Sequence, residues 1–144
     1  MKRDRLRERI GEWEQEQRSI LNGFTLTFAK GYSNHKSGYA NIKACSDSEV
    51  EGAVYLITEH QFRKLDAYEG VGLGVYRRRP VDVETGGKSI HATTYEMNKE
   101  VCLLRPSVDY LNLVLDVLRE HGHAESIIKK VEEIAKENGG KSLT

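Results

Sequence analysis

The apolar residues change period partway along the chain, and that change limits what it can fold into. From Asn22 the repeat is two: Phe24, Leu26 and Phe28 fall on one side and Thr25 and Thr27 on the other, the pattern of a half-buried strand. Near the end the repeat is helical. Leu111, Val114, Leu115 and Leu118 recur at i, i+3, i+4 and i+7 behind Ser107 at a cap position. After Gly122 a second amphipathic helix carries Ile127, Ile128, Val131, Ile134 and Ala135, fraying past Asn138-Gly139-Gly140. Strand period and helix period in separate blocks imply an α+β domain.

The remaining segments fill in that outline. Leu6 and Ile10 stand at helical spacing among charges in residues 2–10, Gly11 ends the segment, and a second short helical stretch is expected around Trp13 to Ile20. Gly31 to Ser37 reads as a loop. Tyr39 to Ala44 and Val50 to Ile57 read as strands joined through the polar Ser46-Asp47-Ser48, which predicts a hairpin. Tyr76 to Glu84 and Ile90 to Met97 form another pair across the turn Thr85-Gly86-Gly87-Lys88, and Pro80 makes the first an edge or bulged strand. The count is roughly five strands with flanking helices.

Length and charge narrow the classes of function. A chain of 144 residues has room for one domain, residues 1–144, burying roughly two-thirds of its unfolded surface in a single core. Lys and Arg number 22 and so do Asp and Glu, which argues against a general nucleic-acid binder and leaves a small molecule as the expected partner. Arg77-Arg78-Arg79 alternates faces on a strand and reads as a solvated edge. Cys45 and Cys102, without an apolar leader or any long apolar run, predict reduced thiols, a cytoplasmic setting and no membrane span. Gly70-Val71-Gly72-Leu73-Gly74 follows a helix and precedes a strand, the reverse of a dinucleotide fold. His121 and His123, two apart, diverge on a helix, so no zinc is expected.

The strongest chemical signal lies where a helix stops. Thr58 to Tyr68 has Phe62, Leu65 and Tyr68 at apolar positions and Gly70 to end it, which puts Glu69 at a turn. A carboxylate at a helix C-terminus meets the unfavourable end of the dipole, and partial burial acts in the same direction. Both raise its pKa and make Glu69 a usable base.

Leu65-Asp66-Ala67-Tyr68-Glu69-Gly70-Val71 resembles the L-D-x-x-E-G-V signature of the gamma-glutamylcyclotransferase-like (AIG2-like) family, in which a Tyr follows the acid/base Glu by seven positions. Tyr76 stands at that spacing. The likeness continues through Val50-Glu51-Gly52-Ala53-Val54-Tyr55, Thr94-Tyr95 and Pro106-Ser107-Val108-Asp109-Tyr110-Leu111. It implies a small mixed barrel of about five to six strands, closed or nearly closed. It also implies ring closure of a gamma-glutamyl amino acid or amine to 5-oxoproline, with Glu69 as general acid/base. Tyr76 and Tyr110 would be the hydroxyl contacts to substrate, with Tyr95 a third, and the reaction would need no metal or organic cofactor.

The family opens with a strand and a Y-G-S-N loop, whereas Met1-Lys2-Arg3-Asp4-Arg5-Leu6-Arg7 resembles the helix after that loop. On this resemblance the first strand and loop are missing, and the barrel has an open edge through which a homodimer is expected. Gly31-Tyr32-Ser33-Asn34 shares the loop's letters with Gly and Tyr exchanged, and reads as a connector. The alternative function is a family-fold binding or interaction module without turnover.

Overall fold

Strand β1 (Gln15–Lys30) is the spine of the sheet, because three other strands pair with it. The computed structural model describes residues 2–31 and 36–137. Strand β2 (Tyr39–Leu56) runs antiparallel to β1 from Leu56 opposite Gln15 to Tyr39 opposite Ala29. Strand β3 (Tyr76–Thr85) meets β1 at Glu84 opposite Ile20 and pairs along its length with β4 (Lys88–Met97). The short β5 (Cys102–Leu103) adds to the far end of β1. The order is β2-β1-β3-β4, so among the described residues β2 and β4 end it and backbone pairing does not close the barrel. The fold is α+β, as the two periods predict.

Two expectations are overturned by long-range pairing. The stretch from Trp13 to Ile20 is not helical: β1 starts at Gln15, and buried Ser19 and Leu21 alternate with exposed Arg18 and Asn22. Pairing with residues 50–56 outweighs the local helical preference of a Glu- and Gln-rich segment. Nor do residues 39–57 form a hairpin. They make one strand, in which Glu49 faces Asn22 and Ala44 faces Phe24, leaving residues 45–48 opposite Gly23 alone. The polar Ser46-Asp47-Ser48 is therefore a bulge in β2, not a turn. Gly23 sits opposite it at φ 83°.

The other local readings hold. Pro80 lies opposite Thr93 where β3 has no pairing with β1, so its missing N–H breaks no ladder. Cys45 and Cys102 are free and half-buried. Tyr32-Ser33-Asn34 of the connector and the tail beyond Glu137 lie outside the described residues.

Among the described residues four α-helices surround the sheet. In α3 (Val108–Glu120) and α4 (Glu125–Glu137), Leu115, Leu118, Ile128, Val131 and Ala135 enclose the fully buried Phe28 of β1. Helix α1 (Arg3–Ile10) buries Leu6 and Ile10 and is pinned by Lys2 to Asp116 (3.2 Å) and Arg3 to Glu16 (2.7 Å). Helix α2 (Glu59–Tyr68) begins with a capping box: Gln61 N donates to Thr58 Oγ1 (3.1 Å) and Thr58 N to Gln61 Oε1 (2.9 Å). Gln61 Nε2 also donates to Ile10 O (3.1 Å) and Glu12 O (2.6 Å), which ties the end of α1 to the start of α2.

Candidate active site

Glu69 caps the C-terminus of α2, its N–H donating to Leu65 O at 2.9 Å. The next residue reverses the chain. Gly70 has φ 65°, and its carbonyl accepts from Leu73 N (3.0 Å) and Val75 N (3.1 Å) around a single 3-10 turn at Val71–Leu73. That turn brings Tyr76 back to the start of β3. The seven-residue spacing from Glu69 to Tyr76 is therefore the length of one tight reversal.

Glu69 and Tyr76 line a cavity of about 1300 Å³ together with Tyr95 of β4 and Tyr110 of α3. All four residues singled out in the sequence border the same space. Glu69 is half-buried, and burial raises its carboxyl above the ordinary 4.5, against the opposing pull of the Arg9 guanidinium. Arg9 belongs to α1 and lies 4.7 Å from the centre of the Tyr68 ring.

Two of the tyrosines have opposite hydrogen-bond polarity. Tyr76 Oη donates to Ala40 O at 2.9 Å, while Ala40 N donates to Tyr110 Oη at 3.1 Å. The Tyr76 proton is thus committed, which leaves its oxygen able only to accept. Tyr110 keeps its own proton to give. Burial, followed by the neighbouring charges of Tyr110 and Glu69, lifts the Tyr76 phenol far above its ordinary value. Burial likewise raises Tyr110, partly offset by the Ala40 amide. Tyr110 is fixed by Ser107 Oγ, which accepts from its N–H (3.1 Å), and by the edge of Tyr39, 4.9 Å between ring centres.

Tyr95 plays a different part. Its hydroxyl donates to Asp66 Oδ1 at 2.7 Å, and Asp66 also receives Arg78 Nε (2.9 Å) and Nη2 (2.7 Å). Arg78 in turn lies 3.8 Å from the centre of the Phe62 ring. These contacts brace α2 against β3 and β4, three residues before Glu69. Arg77-Arg78-Arg79 lies on a stretch of β3 without pairing to β1 and stays partly exposed, as the sequence predicts, but each arginine also has an acidic partner. Strand alternation sends Arg78 to Asp66 and both Arg77 and Arg79 to Glu96, at 2.5 and 3.0 Å. Asp66 sits inside the Leu65 to Val71 signature, but nothing local marks its partner twelve residues on. Ala40 left no sequence signal, because it acts through its backbone.

His121 and His123 have separate partners. His121 Nε2 meets Tyr55 Oη at 2.6 Å, and His123 Nδ1 meets Glu51 Oε1 at 3.2 Å. Burial is the main cause that pushes the Tyr55 phenol up to about 12. Among the described residues, no group of three His, Cys, Asp or Glu side chains is placed to hold a metal, and no helix is long and apolar enough to cross a membrane.

Comparison with known proteins supports the fold. No curated protein sequence matches the chain. A solved structure titled gamma-glutamyl cyclotransferase superposes with a TM-score of 0.81 at 25% identity, covering 90% of this chain and 79% of that one. An uncharacterized Homo sapiens protein gives 0.80 at 26% identity with the same coverage. A Bacillus subtilis protein shares the fold, with a TM-score of 0.69 at 22% identity over 83% of this chain and 44% of its own. The model of the AIG2-like family matches residues 49–131, which include Glu69, Tyr76, Tyr95 and Tyr110. With more than half its length matched and its fold shared, the chain belongs to the AIG2-like family.

Proposed function

We propose that the protein is a gamma-glutamyl cyclotransferase that converts a gamma-glutamyl amino acid or amine to 5-oxoproline and the free amine. The free α-amine of the gamma-glutamyl group attacks its own side-chain carbonyl, a C–N bond closes the five-membered ring, and the bond to the leaving amine breaks. Water is not consumed. The attack is intramolecular, so the protein has to fold the substrate on itself and move two protons.

Glu69 takes a proton from the α-ammonium and delivers one to the departing nitrogen. Its raised pKa brings it closer to the amines it serves, and acid-base catalysis of this kind contributes roughly a hundred- to ten-thousand-fold. Tyr110, with a proton to give, donates to the oxyanion that forms on the carbonyl, and Tyr76 accepts from the attacking amine. Tyr95 holds the Asp66 brace of α2. The observation that carries the reading is the Glu69 carboxylate, half-buried at the rim of a cavity it shares with those two phenols.

Incubating the protein with gamma-glutamyl dipeptides and with gamma-glutamyl-lysine, and measuring 5-oxoproline, tests it. Glu69→Gln keeps the shape and removes the base; equal turnover by both proteins would dismiss the mechanism. A cytoplasmic setting suits the free thiols. Strands β2 and β4, at the two ends of the pairing order, are the edges through which a second copy would add. Size-exclusion chromatography with light scattering that finds only monomer would remove the dimer.

A further inference from the structure

Helix α1 and its N-cap carry five cations, Lys2, Arg3, Arg5, Arg7 and Arg9, and four have visible occupations. Lys2 pairs with Asp116 and Arg3 with Glu16. Arg7 pairs with Glu12 at 3.2 Å and with Asp4 at 3.5 Å, and Arg9 lies over the Tyr68 ring. Arg5 differs. It is exposed, it lines the cavity shared by Glu69, Tyr76 and Tyr110, and its side chain makes no hydrogen bond or ion pair among the described residues. Its positive charge is felt at the Tyr110 hydroxyl.

We propose that Arg5 is the receptor for a substrate carboxylate, and so sets the charge class of the substrate. This rests on the cyclotransferase reading. A gamma-glutamyl amino acid carries two carboxylates, one on the α-carbon and one on the leaving amino acid. Once its α-amine is neutral and ready to attack, nothing within the molecule offsets them. Glu69 and the two phenols serve the amine and the carbonyl, and an ionised Glu69 repels a carboxylate. A guanidinium is the group that meets a carboxylate through two parallel hydrogen bonds.

The placement suits the task. Arg5 and Arg9 are one helical turn apart on the same face, Arg5 towards Tyr110 and Arg9 towards Tyr68 and Glu69. The helix itself is fixed, with Leu6 and Ile10 buried and Gln61 holding the Ile10 carbonyl, so the root of the Arg5 side chain does not wander.

The test uses gamma-glutamyl-alanine, which has both carboxylates, and gamma-glutamyl-ethylamine, which has only the one on the α-carbon. Arg5→Gln should raise KM for gamma-glutamyl-alanine about tenfold, the scale of a partly exposed charge-assisted contact, and the effect should fall on KM rather than kcat. Arg5→Lys should recover part of it. An equal rise for gamma-glutamyl-ethylamine assigns the α-carboxylate; no rise for that substrate assigns the leaving amino acid. Unchanged KM for both substrates overturns the proposal. Binding separates this from the fate of Glu69: calorimetric titration of Glu69→Gln with gamma-glutamyl-alanine, with and without Arg5→Gln, needs no turnover. Affinity that falls about tenfold on loss of Arg5 supports the receptor even if Glu69 proves dispensable, and affinity that does not change overturns it.

Discussion

Tyr76 and Tyr110 hold the two polar backbone atoms of one residue: the first donates to the Ala40 carbonyl and the second accepts from the Ala40 amide. One phenol has therefore spent its proton and the other has not, a distinction that side-chain identity does not reveal. Tyr110→Phe should lower kcat roughly a hundredfold, the usual cost of removing an oxyanion donor. Tyr76→Phe removes only an acceptor for the amine and should act mainly on KM. Steady-state kinetics of the two variants check this, and the reverse ranking would reassign the pair.

Acidity offers a second check, through Glu69 and Arg9. Burial lifts the Glu69 carboxyl above 4.5 while Arg9 draws it down. The base must be ionised, so the acidic limb of the kcat/KM profile should lie above that value. Arg9→Gln removes the restraining cation and should move the limb to still higher pH. Stability runs the other way. A raised carboxyl favours the folded state most when protonated, and that contribution fades as pH climbs through the folded-state value. Melting curves of wild type and Glu69→Gln across acidic pH should converge at the low end, where wild-type Glu69 is also neutral.

Asp66 shows the opposite sign. Its hydrogen bonds from Arg78 hold the carboxyl below 3.8, outweighing the upward push of burial, with a further contribution from Tyr95. This stabilisation is present above the unfolded value and is lost as pH falls through the folded one. Asp66→Asn should cost about 1–3 kcal/mol at neutral pH, because it weakens a bidentate contact and strands part of Arg78. Chemical denaturation at pH 7 should find the full difference, and it should shrink steadily as the pH is lowered below 3.8.

Close approach of two chain segments makes a third site sensitive. A Cβ on Gly38 would fall 1.9 Å from Leu104 O, and Gly38 N donates to Arg105 O at 2.8 Å. Gly38→Ala should destabilise by about 3 kcal/mol, since backbone has to move. Gly52→Ala is the control: a Cβ there meets nothing within 4 Å, so it should be near neutral. Thermal melts of the two variants measure the contrast.

Local signals were enough for α2, its end at Glu69-Gly70, the β3–β4 pair, α3 and α4. Each of these is set by its own periodicity and by a cap or turn within a few residues. The failures all involve partners far along the chain. Gln15 to Ile20 becomes strand only because residues 51–56 lie beside it, and Ser46-Asp47-Ser48 becomes a bulge because β1 continues past it. The candidate site divides the same way. Glu69 and Tyr76 are separated by one reversal and were legible as a spacing. The Ala40 backbone, the Asp66–Arg78 brace and the cations of α1 enter only through tertiary structure.

The anchoring of α1 has a consequence for how the molecule is made. Lys2 and Arg3 are synthesised more than a hundred residues ahead of Asp116 and Glu120, which hold them, and well ahead of Tyr110. A nascent chain halted after β4 would carry Glu69 and Tyr76 but neither the second phenol nor the clasp that seats α1. The cavity lined by Glu69, Tyr76 and Tyr110 is thus completed only once α3 has been made.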